Sequence, residues 1–474
     1  MNIAKKCARG SQHARSRGFV GSGGRGVAPN ARAGKTSADQ RLGNMAVKEQ
    51  QDFSRLLWRL QSYLWEISKN PRFRGCHRWR RGGSNAHLVW NGQSSAWWGG
   101  LQTSSSPWCS PLSAASIAQV RQAEVETAVK TWVEQPERSV AFMTLTLRHN
   151  AEHALADLWD ALSYCWRGIT GTASWRGGVR MVGDQQKYGI KHFVKSVEIT
   201  HGKNGFHPHL HVLLFLDRKL SVEDLDTLRA RLFSRWEKAA LRSGLESPTP
   251  ERGLVIEQAA DKADGLKKLA SYLAKGNISG LGKEITGSLL KSGRGENRTL
   301  FEVLRDWGET RSARDYAIWA EYERASEGRR QISWSKGAKE ALGVNEKSDD
   351  AAESDALDID EARACIVALL DGDNWRRICD DVVIRNQVVD VVARCSTPEM
   401  ALRKARKKLE SLGLELVNLD APRPYGALFA ERAARRAAGW RAYVEKFSVD
   451  LRDTCMKNAS TTVDRGAQGT LFRV

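Results

Sequence analysis

Three histidines stand within five residues in His207-Pro-His-Leu-His211, and an apolar run follows them. Such a run, with its valine, leucines and phenylalanine, is typical of a strand. Because side chains two apart on a strand point to the same face, His209 and His211 present two imidazoles side by side. Neutral imidazoles on a rigid backbone are good ligands for a divalent metal. His207 extends this row only if Pro208 permits strand geometry there.

Glu198 is the candidate for a third ligand. It lies in Val194-Lys-Ser-Val-Glu-Ile-Thr200, which alternates like a strand, and Gly202-Lys-Asn-Gly205 follows as a predicted hairpin turn. Antiparallel pairing of the two strands would bring the carboxylate beside the imidazoles. The alternatives are an exposed glutamate and a chance cluster of surface histidines, neither of which binds metal.

A tyrosine and a lysine further along could supply the attacking group. Tyr272 and Lys275 are three residues apart in a helix predicted over Asp264–Lys275, so they share a face. A tyrosine can attack phosphorus and form a phosphotyrosine bond, and a lysine can steady the phosphate or the phenolate. By itself this spacing is far more typical of an ordinary amphipathic helix with a packed tyrosine. The histidines upstream are what give it weight.

Three segments in this order resemble the motifs of HUH endonucleases: Met143-Thr-Leu-Thr-Leu147, His207-Pro-His-Leu-His211 and Tyr272-Leu-Ala-Lys275. They are most similar to those of the replication initiator (Rep) proteins of small rolling-circle plasmids, of the long actinobacterial type. The resemblance covers roughly residues 76–280. It implies an α+β fold with a central antiparallel sheet flanked by helices, the histidine pair on a middle strand and the nucleophile on a nearby helix.

The resemblance also implies roles for particular residues. His209, His211 and Glu198 would hold a divalent metal, Mg²⁺ or Mn²⁺, and Tyr272 would be the nucleophile, with Lys275 beside it. The implied activity is site-specific nicking and transfer of one DNA strand at a plasmid origin through a 5′-phosphotyrosine intermediate. Implied partners are single-stranded or hairpin origin DNA and the host's helicase, polymerase and single-strand binding protein, in the cytoplasm.

The chain departs from the family pattern before the first motif. Relatives often carry a cysteine-rich, zinc-binding segment there, whereas this chain has Ser104, Ser110 and Ser113 at the expected positions. Cys76 and Cys109 do not restore a set of four ligands, so we expect no structural zinc.

A second departure concerns the step that ends the reaction. Some relatives carry a glutamate four residues before the tyrosine, where it activates water, and Lys268 stands at that place here. Glu257, Asp261 and Asp264 are alternative groups for this role. The residue that activates water in the terminating step therefore stays open.

Two other readings of the motifs remain. A relaxase or a single-tyrosine transposase would use the same chemistry, but many relaxases place the tyrosine before the histidines and such transposases are much shorter. The third reading is a non-catalytic DNA-binding relative, which the missing cysteines keep open. The motif order and the length of 474 residues favour a replication initiator.

Composition points to a polyanionic partner. The chain has 74 lysines and arginines against 55 acidic residues, a formal net charge of +19, and such an excess favours nucleic acid. Hydrophobic residues make up 41%, enough for a sizeable core. Eight cysteines without CxxC pairs fit a reducing compartment.

The charge and hydrophobic patterns divide the chain into five regions. They are a disordered basic arm over 1–44, unless Met45 is the true start, a Trp/Arg-rich segment over 45–140, an alternating strand and helix region over 141–340, an acidic linker over 341–361 and a helical region over 362–474. The resemblance implies that the region 141–340 is the nickase domain. The predicted helices are 51–69, Ser113–Glu134, Leu155–Trp166, Ser221–Ser243, 362–415 and 426–447, and the predicted strands are Ala141–Leu147, His192–Thr200, Leu210–Leu216 and Gly253–Glu257.

Overall fold

The computed structural model describes residues 37–82, 84–92, 95–258, 297–345 and 364–425, with side chains from Asp52 onward. Tyr272, Lys275 and the predicted helices over 264–275 and 426–447 lie outside these residues, as do 1–36 of the basic arm and 346–361 of the acidic linker. Among the described helices, none combines the length and the apolarity that crossing a membrane requires.

Among the described residues, the larger of two antiparallel sheets has six strands. They are β3 (Ser139–Thr146), β4 (Ile190–Gly202), β5 (Gly205–Leu216), β6 (Leu254–Gln258), β7 (Arg298–Thr299) and β8 (Ile332–Trp334). The order is β6-β3-β5-β4-β7, and β8 also pairs with β4. The predicted strands are confirmed, and β5, which carries the three histidines, occupies a middle position.

The β4–β5 hairpin is closed by the predicted turn Gly202–Gly205. Gly205 has a φ of +82°, a left-handed conformation that glycine adopts without strain. A Cβ there would also lie 3.0 Å from the Cα of Ala151, so a larger residue would crowd the neighbouring backbone. The turn sets the register of the hairpin, which pairs Glu198 with His209 and Ser196 with His211. The sequence motif that predicts the hairpin thus also aligns the candidate ligands.

Helices α4 (Leu155–Thr170) and α7 (Val222–Arg242) cover one face of this sheet. Their buried side chains, such as Leu158 and Leu232, join Leu210, Val212 and Leu214 of β5 in the main core. Both helices are confirmed predictions, and α7 begins as predicted: the Ser221 side chain accepts a hydrogen bond from the Asp224 backbone amide.

The opposite face of the sheet changes character along its strands. At one end, helix α3 (Pro111–Val133) buries Val125, Val129 and Trp132 against Leu213 and Phe215. At the other end, the same strands carry polar side chains instead, namely Thr144 and Thr146 of β3, Glu198 and Thr200 of β4, and His207, His209 and His211 of β5. Strand periodicity places these polar residues on one surface, beside an apolar cluster that holds the strands in place.

Other described helices range in length from four residues to 31 residues. They are α1 (Ser37–Ile67), α2 (Pro71–Gly75), α5 (Ala173–Arg176), α6 (Asp184–Lys187), α8 (Pro250–Gly253), α9 (Leu300–Thr310), α10 (Ala313–Ser326) and α11 (Ala338–Ala341). The start of α1 at Ser37 differs from the prediction, which assigned residues 37–44 to the disordered arm. Once the amphipathic part of α1 has formed, adding residues at its N-terminal end is easier than starting a new helix.

A second sheet joins distant parts of the chain. Its four antiparallel strands follow the order β10-β9-β1-β2, with β1 (Ala86–Trp90), β2 (Ala96–Gly99), β9 (Cys365–Leu370) and β10 (Arg423–Pro424). Strands β1 and β2 belong to the Trp/Arg-rich segment, and strands β9 and β10 belong to the C-terminal region. Three helices pack against this sheet and share one hydrophobic core with it: α12 (Gly372–Cys379), α13 (Val382–Ala393) and α14 (Pro398–Glu410).

The C-terminal region is rich in helices, as predicted, but the continuous helical prediction over 362–415 is wrong at Cys365–Leu370. This stretch is the strand β9, which pairs with β1 through Leu88 and Ala368. A short apolar run fits a buried strand and a helix equally well, and only its pairing partner distinguishes the two. That partner lies near the other end of the chain.

Candidate metal centre

Glu198, His209 and His211 meet on the polar half of the large sheet. The Glu198 Oε2 atom lies 3.1 Å from His209 Nε2 and 2.8 Å from His211 Nε2. One ligand atom from each residue lies within 4.8 Å of the others. The structure therefore brings together the three residues that the sequence predicts as metal ligands, and we call them the Glu-His-His triad.

The protonation states of the triad suit a cation. Burial by itself would raise the pKa of Glu198, but the hydrogen bonds from His209 and His211 outweigh it and hold that pKa well below its usual range. Burial also lowers the pKa of His211 below its ordinary value. An ionised carboxylate and a neutral imidazole are the forms that bind a metal ion. Two imidazole nitrogens and one carboxylate oxygen thus fit a divalent metal.

Neighbouring groups fix how the two imidazoles are oriented. The His211 Nδ1 atom lies 3.2 Å from Thr144 Oγ1, and the Phe142 ring stacks on the His211 ring at 5.5 Å. The His209 Nδ1 atom lies 3.3 Å from the backbone carbonyl oxygen of His207, to which it donates. In the tautomer that carries its proton on Nδ1, these contacts remain, and Nε2 would present its lone pair to a metal in place of its hydrogen bond to Glu198. Thr144 belongs to the first motif, but sequence reasoning gave it no role.

His207 extends the row of imidazoles without joining the triad. Strand β5 runs through Pro208, which pairs with Ile199, so the strand geometry holds there. The His207 Nδ1 atom lies 2.7 Å from His149 Nε2, and His149 Nδ1 lies 3.0 Å from the carbonyl oxygen of Asn204. Burial, with neighbouring His209 and His149, lowers the pKa of His207 to about 3. Sequence reasoning missed His149, because no local pattern links it to β5.

The segment that carries Tyr272 and Lys275 begins and ends at this sheet. The described chain leaves it at Gln258, the last residue of β6, and rejoins it at Arg298 of β7, which pairs with His201 of β4. Within β6, exposed Glu257 pairs with Phe142 and therefore lies on the face of the triad. Asp261 and Asp264 are outside the described residues, so of the three predicted alternatives for activating water only Glu257 has a place in the structure.

The serines that stand where relatives carry cysteines lie close together, beside Cys76. The buried Cys76 Sγ atom lies 3.3 Å from Ser110 Oγ and 3.4 Å from Ser113 Oγ, and Ser104 donates to Ser113 at 3.0 Å. Burial raises the pKa of the Cys76 thiol, which favours the protonated form. Cys109 points elsewhere and contacts Ser326. One protonated thiol and three hydroxyls form a hydrogen-bonded cluster and lack the thiolates of a zinc site.

Part of this sequence is similar to a known protein. The chain is similar to "Protein rep" of Streptomyces lividans, with 28% identity over 339 residues that cover 59% of this chain and 73% of that protein. No family model matches the sequence. No solved structure matches it either.

Proposed function

We propose that this protein initiates rolling-circle replication of a plasmid by nicking one DNA strand at the origin. The observation that carries the proposal is the Glu-His-His triad, built on a middle strand of an antiparallel sheet. The likeness to a Rep protein supports a role in plasmid replication. The order of the motifs, with the tyrosine after the histidines, favours an initiator over a transfer relaxase.

The triad would hold Mg²⁺ or Mn²⁺ through the Oε2 atom of Glu198 and the Nε2 atoms of the two histidines. A divalent ion bound there polarises a phosphate and stabilises the charge that develops on it. The side chains of Glu198, His209 and His211 are 14%, 12% and 5% exposed, so the ligands are held firmly yet reachable from one side. Three protein ligands leave room in the coordination sphere for phosphate oxygens.

Tyr272 is the proposed nucleophile. Its phenolic oxygen would form a bond to phosphorus while the bond from phosphorus to the 3′ oxygen breaks. The phenol gives up its proton, and the leaving oxygen takes one to become a free 3′ hydroxyl that primes polymerase. Lys275 would steady the phosphate or the phenolate.

The described anchor points allow Tyr272 to reach the triad. The stretch from Gln258 to Tyr272 spans about 20 Å as a helix and about 50 Å fully extended. The triad lies no more than three strands from β6, about 15 Å across the sheet. The net charge of +19 would favour the DNA strand that carries the phosphate.

The metal is tested by measuring binding and cleavage in the same preparation. Calorimetry should show Mn²⁺ binding that is stronger than Mg²⁺ binding, because imidazole nitrogen prefers the transition metal. Both ions should restore nicking of a single-stranded origin oligonucleotide after chelation. Full activity in a chelated buffer would contradict the proposal.

The nucleophile is tested by mass spectrometry after reaction with a labelled single-stranded origin. We expect a nucleotide joined through its 5′ phosphate to the peptide that contains Tyr272, and no adduct with Tyr272→Phe. Tyr164→Phe is the matched control, because Tyr164 is an exposed tyrosine on α4. Normal cleavage by Tyr272→Phe would refute Tyr272 as the nucleophile. Absence of cleavage by the wild type under all metal conditions would favour a non-catalytic DNA-binding protein.

A further inference from the structure

A cavity of about 210 Å³ lies on the other face of the large sheet, away from the triad. It is lined by Lys195 and Val197 of β4, Leu210 of β5, Ser333 of β8, the α4 residues Trp159, Leu162 and Ser163, and the arginines Arg329 and Arg330. One water needs roughly 10–15 Å³ of such volume. The cavity therefore has room for a tetrahedral oxyanion together with several waters.

The charge of this cavity is almost entirely positive. Lys195, Arg329 and Arg330 line it, and exposed Arg167 is close enough to act on Lys195. Arg329 lies over the Trp159 ring at 5.0 Å, and one of its nitrogens is 2.7 Å from the exposed carboxylate of Asp160. Among the described residues, Asp160 is thus the acidic residue that pairs with these cations, and it pairs with Arg329 alone.

Lys195 is the unusual member of the group. It is half-buried, and the part of the chain that the structure describes contains no hydrogen bond or ion pair to its ammonium. Burial, followed by the repulsion of Arg167, lowers the pKa of Lys195. An ammonium held in this way is stabilised when an anion takes the place of the water it has lost.

The walls of the cavity are fixed by backbone pairing. Strand β8 places Ser333 directly opposite Lys195, and the Val197 amide donates to the Gln331 carbonyl at 2.9 Å. The indole of Trp108 donates to the carbonyl of Arg329 at 2.7 Å. The backbone that carries the cationic side chains is therefore held rigidly, which lowers the entropic cost of binding a ligand.

We propose that this cavity binds a phosphate group through Lys195, Arg329 and Arg330. The hydroxyls of Ser163 and Ser333 supply further hydrogen-bond donors. Charge-assisted hydrogen bonds from lysine and arginine to phosphate are stronger than neutral ones, and the fork of an arginine matches two phosphate oxygens. The phosphate belongs to a free nucleotide or to a DNA backbone, and the two sources share this chemistry.

The test is calorimetric titration of the full-length chain with inorganic phosphate. Chelator is present so that no metal at the triad contributes, and sodium chloride keeps the ionic strength constant. We expect Lys195→Gln to weaken phosphate binding by at least about tenfold and Arg330→Gln by a smaller factor. Arg394→Gln is the matched control: it removes one exposed positive charge in the C-terminal region and should leave the affinity unchanged.

Thermal unfolding provides the second readout. Phosphate should raise the Tm of the wild type and of His211→Ala but not that of Lys195→Gln. Lys195→Gln should itself fold, because it removes a half-buried charge without a counter-ion. Equal phosphate affinity in wild type and Lys195→Gln would overturn the proposal, and so would a phosphate response no larger than that to chloride.

Competition identifies the source of the phosphate. A short single-stranded oligonucleotide that displaces inorganic phosphate from the wild type supports a backbone phosphate as the ligand. Simultaneous binding of both supports a free anion or nucleotide. Because neither measurement involves nicking, the cavity and the proposed nickase activity can fail independently of each other.

Discussion

The two sheets formed by the described residues use their strands in different ways. In the larger sheet, β5 alternates between buried and half-buried residues over its first half and is buried throughout its second half. In the smaller sheet, all five residues of β1 are buried. A strand with one open face can present side chains to a ligand, whereas a strand covered on both faces contributes packing. We therefore expect β5 from His207 to His211 to carry chemistry and β1 to carry stability.

The contrast extends to the charges that each region buries. Beside the larger sheet, the fully buried Asp184 carboxylate is held by Arg231 at 2.7 Å and by Arg235. In the core of the smaller sheet, Arg385 lies over the rings of Trp58 and Trp65 at 4.3 and 5.1 Å. Its three guanidinium nitrogens have no hydrogen-bond partner in the described structure, and burial lowers its pKa to about 10.

The largest expected effect comes from removing a ligand of the triad. His211→Ala should reduce nicking by at least about a hundredfold, since even a partner that only orients a ligand contributes 10- to 100-fold to metal affinity. Folding should be retained, and calorimetry should show weakened Mn²⁺ binding. His192→Ala is the control, because His192 lies on β4 outside the triad. Equal losses in both variants would mean that the triad has no special role.

The next largest effect should come from the smaller sheet and appear in stability alone. Leu88→Ala deletes a fully buried side chain of β1 and should lower the free energy of unfolding by about 2–5 kcal/mol. Denaturant titration measures this change, and Mn²⁺ affinity of the folded protein should stay the same. Val383→Ala, at a position that is 64% exposed, should change stability by less than about 0.5 kcal/mol. A loss of metal binding in Leu88→Ala would show that the smaller sheet also supports the metal site.

A smaller effect is expected from the group that orients His211. Thr144→Val keeps the shape of the side chain but removes the hydroxyl beside Nδ1, so Mn²⁺ affinity should fall by about tenfold. Thr146→Val is the matched control on the same strand, because the structure gives that hydroxyl no hydrogen bond to His209 or His211 in its described part. Unchanged affinity in Thr144→Val would show that ring stacking alone positions the imidazole.

The smallest effect concerns the unpaired arginine. Arg385→Met should leave the free energy of unfolding within about 1 kcal/mol of the wild type, or raise it. A flexible apolar side chain can fill the space between the tryptophans without the desolvation of a charge. Denaturant titration of Arg385→Met and of Leu88→Ala under the same conditions compares their free energies of unfolding. A loss as large as that of Leu88→Ala would show that the contacts with Trp58 and Trp65 outweigh desolvation.

The sequence determined the local parts of the candidate site. Strand alternation put His209 and His211 on one face, and the glycine turn aligned Glu198 with them, because both depend on residues near one another in the chain. The α+β class, the helices α4 and α7 and the cap at Ser221 follow from the same local rules.

Tertiary structure decided what joins distant residues. The pairing of β9 with β1, the support of His211 by Thr144 and the contact of His149 with His207 have no local signature. The cavity around Lys195 likewise combines three strands, a helix and a turn, most of them far apart in sequence. Periodicity predicts which face of a helix or strand a residue occupies, but only the packing of these elements determines what that face contacts.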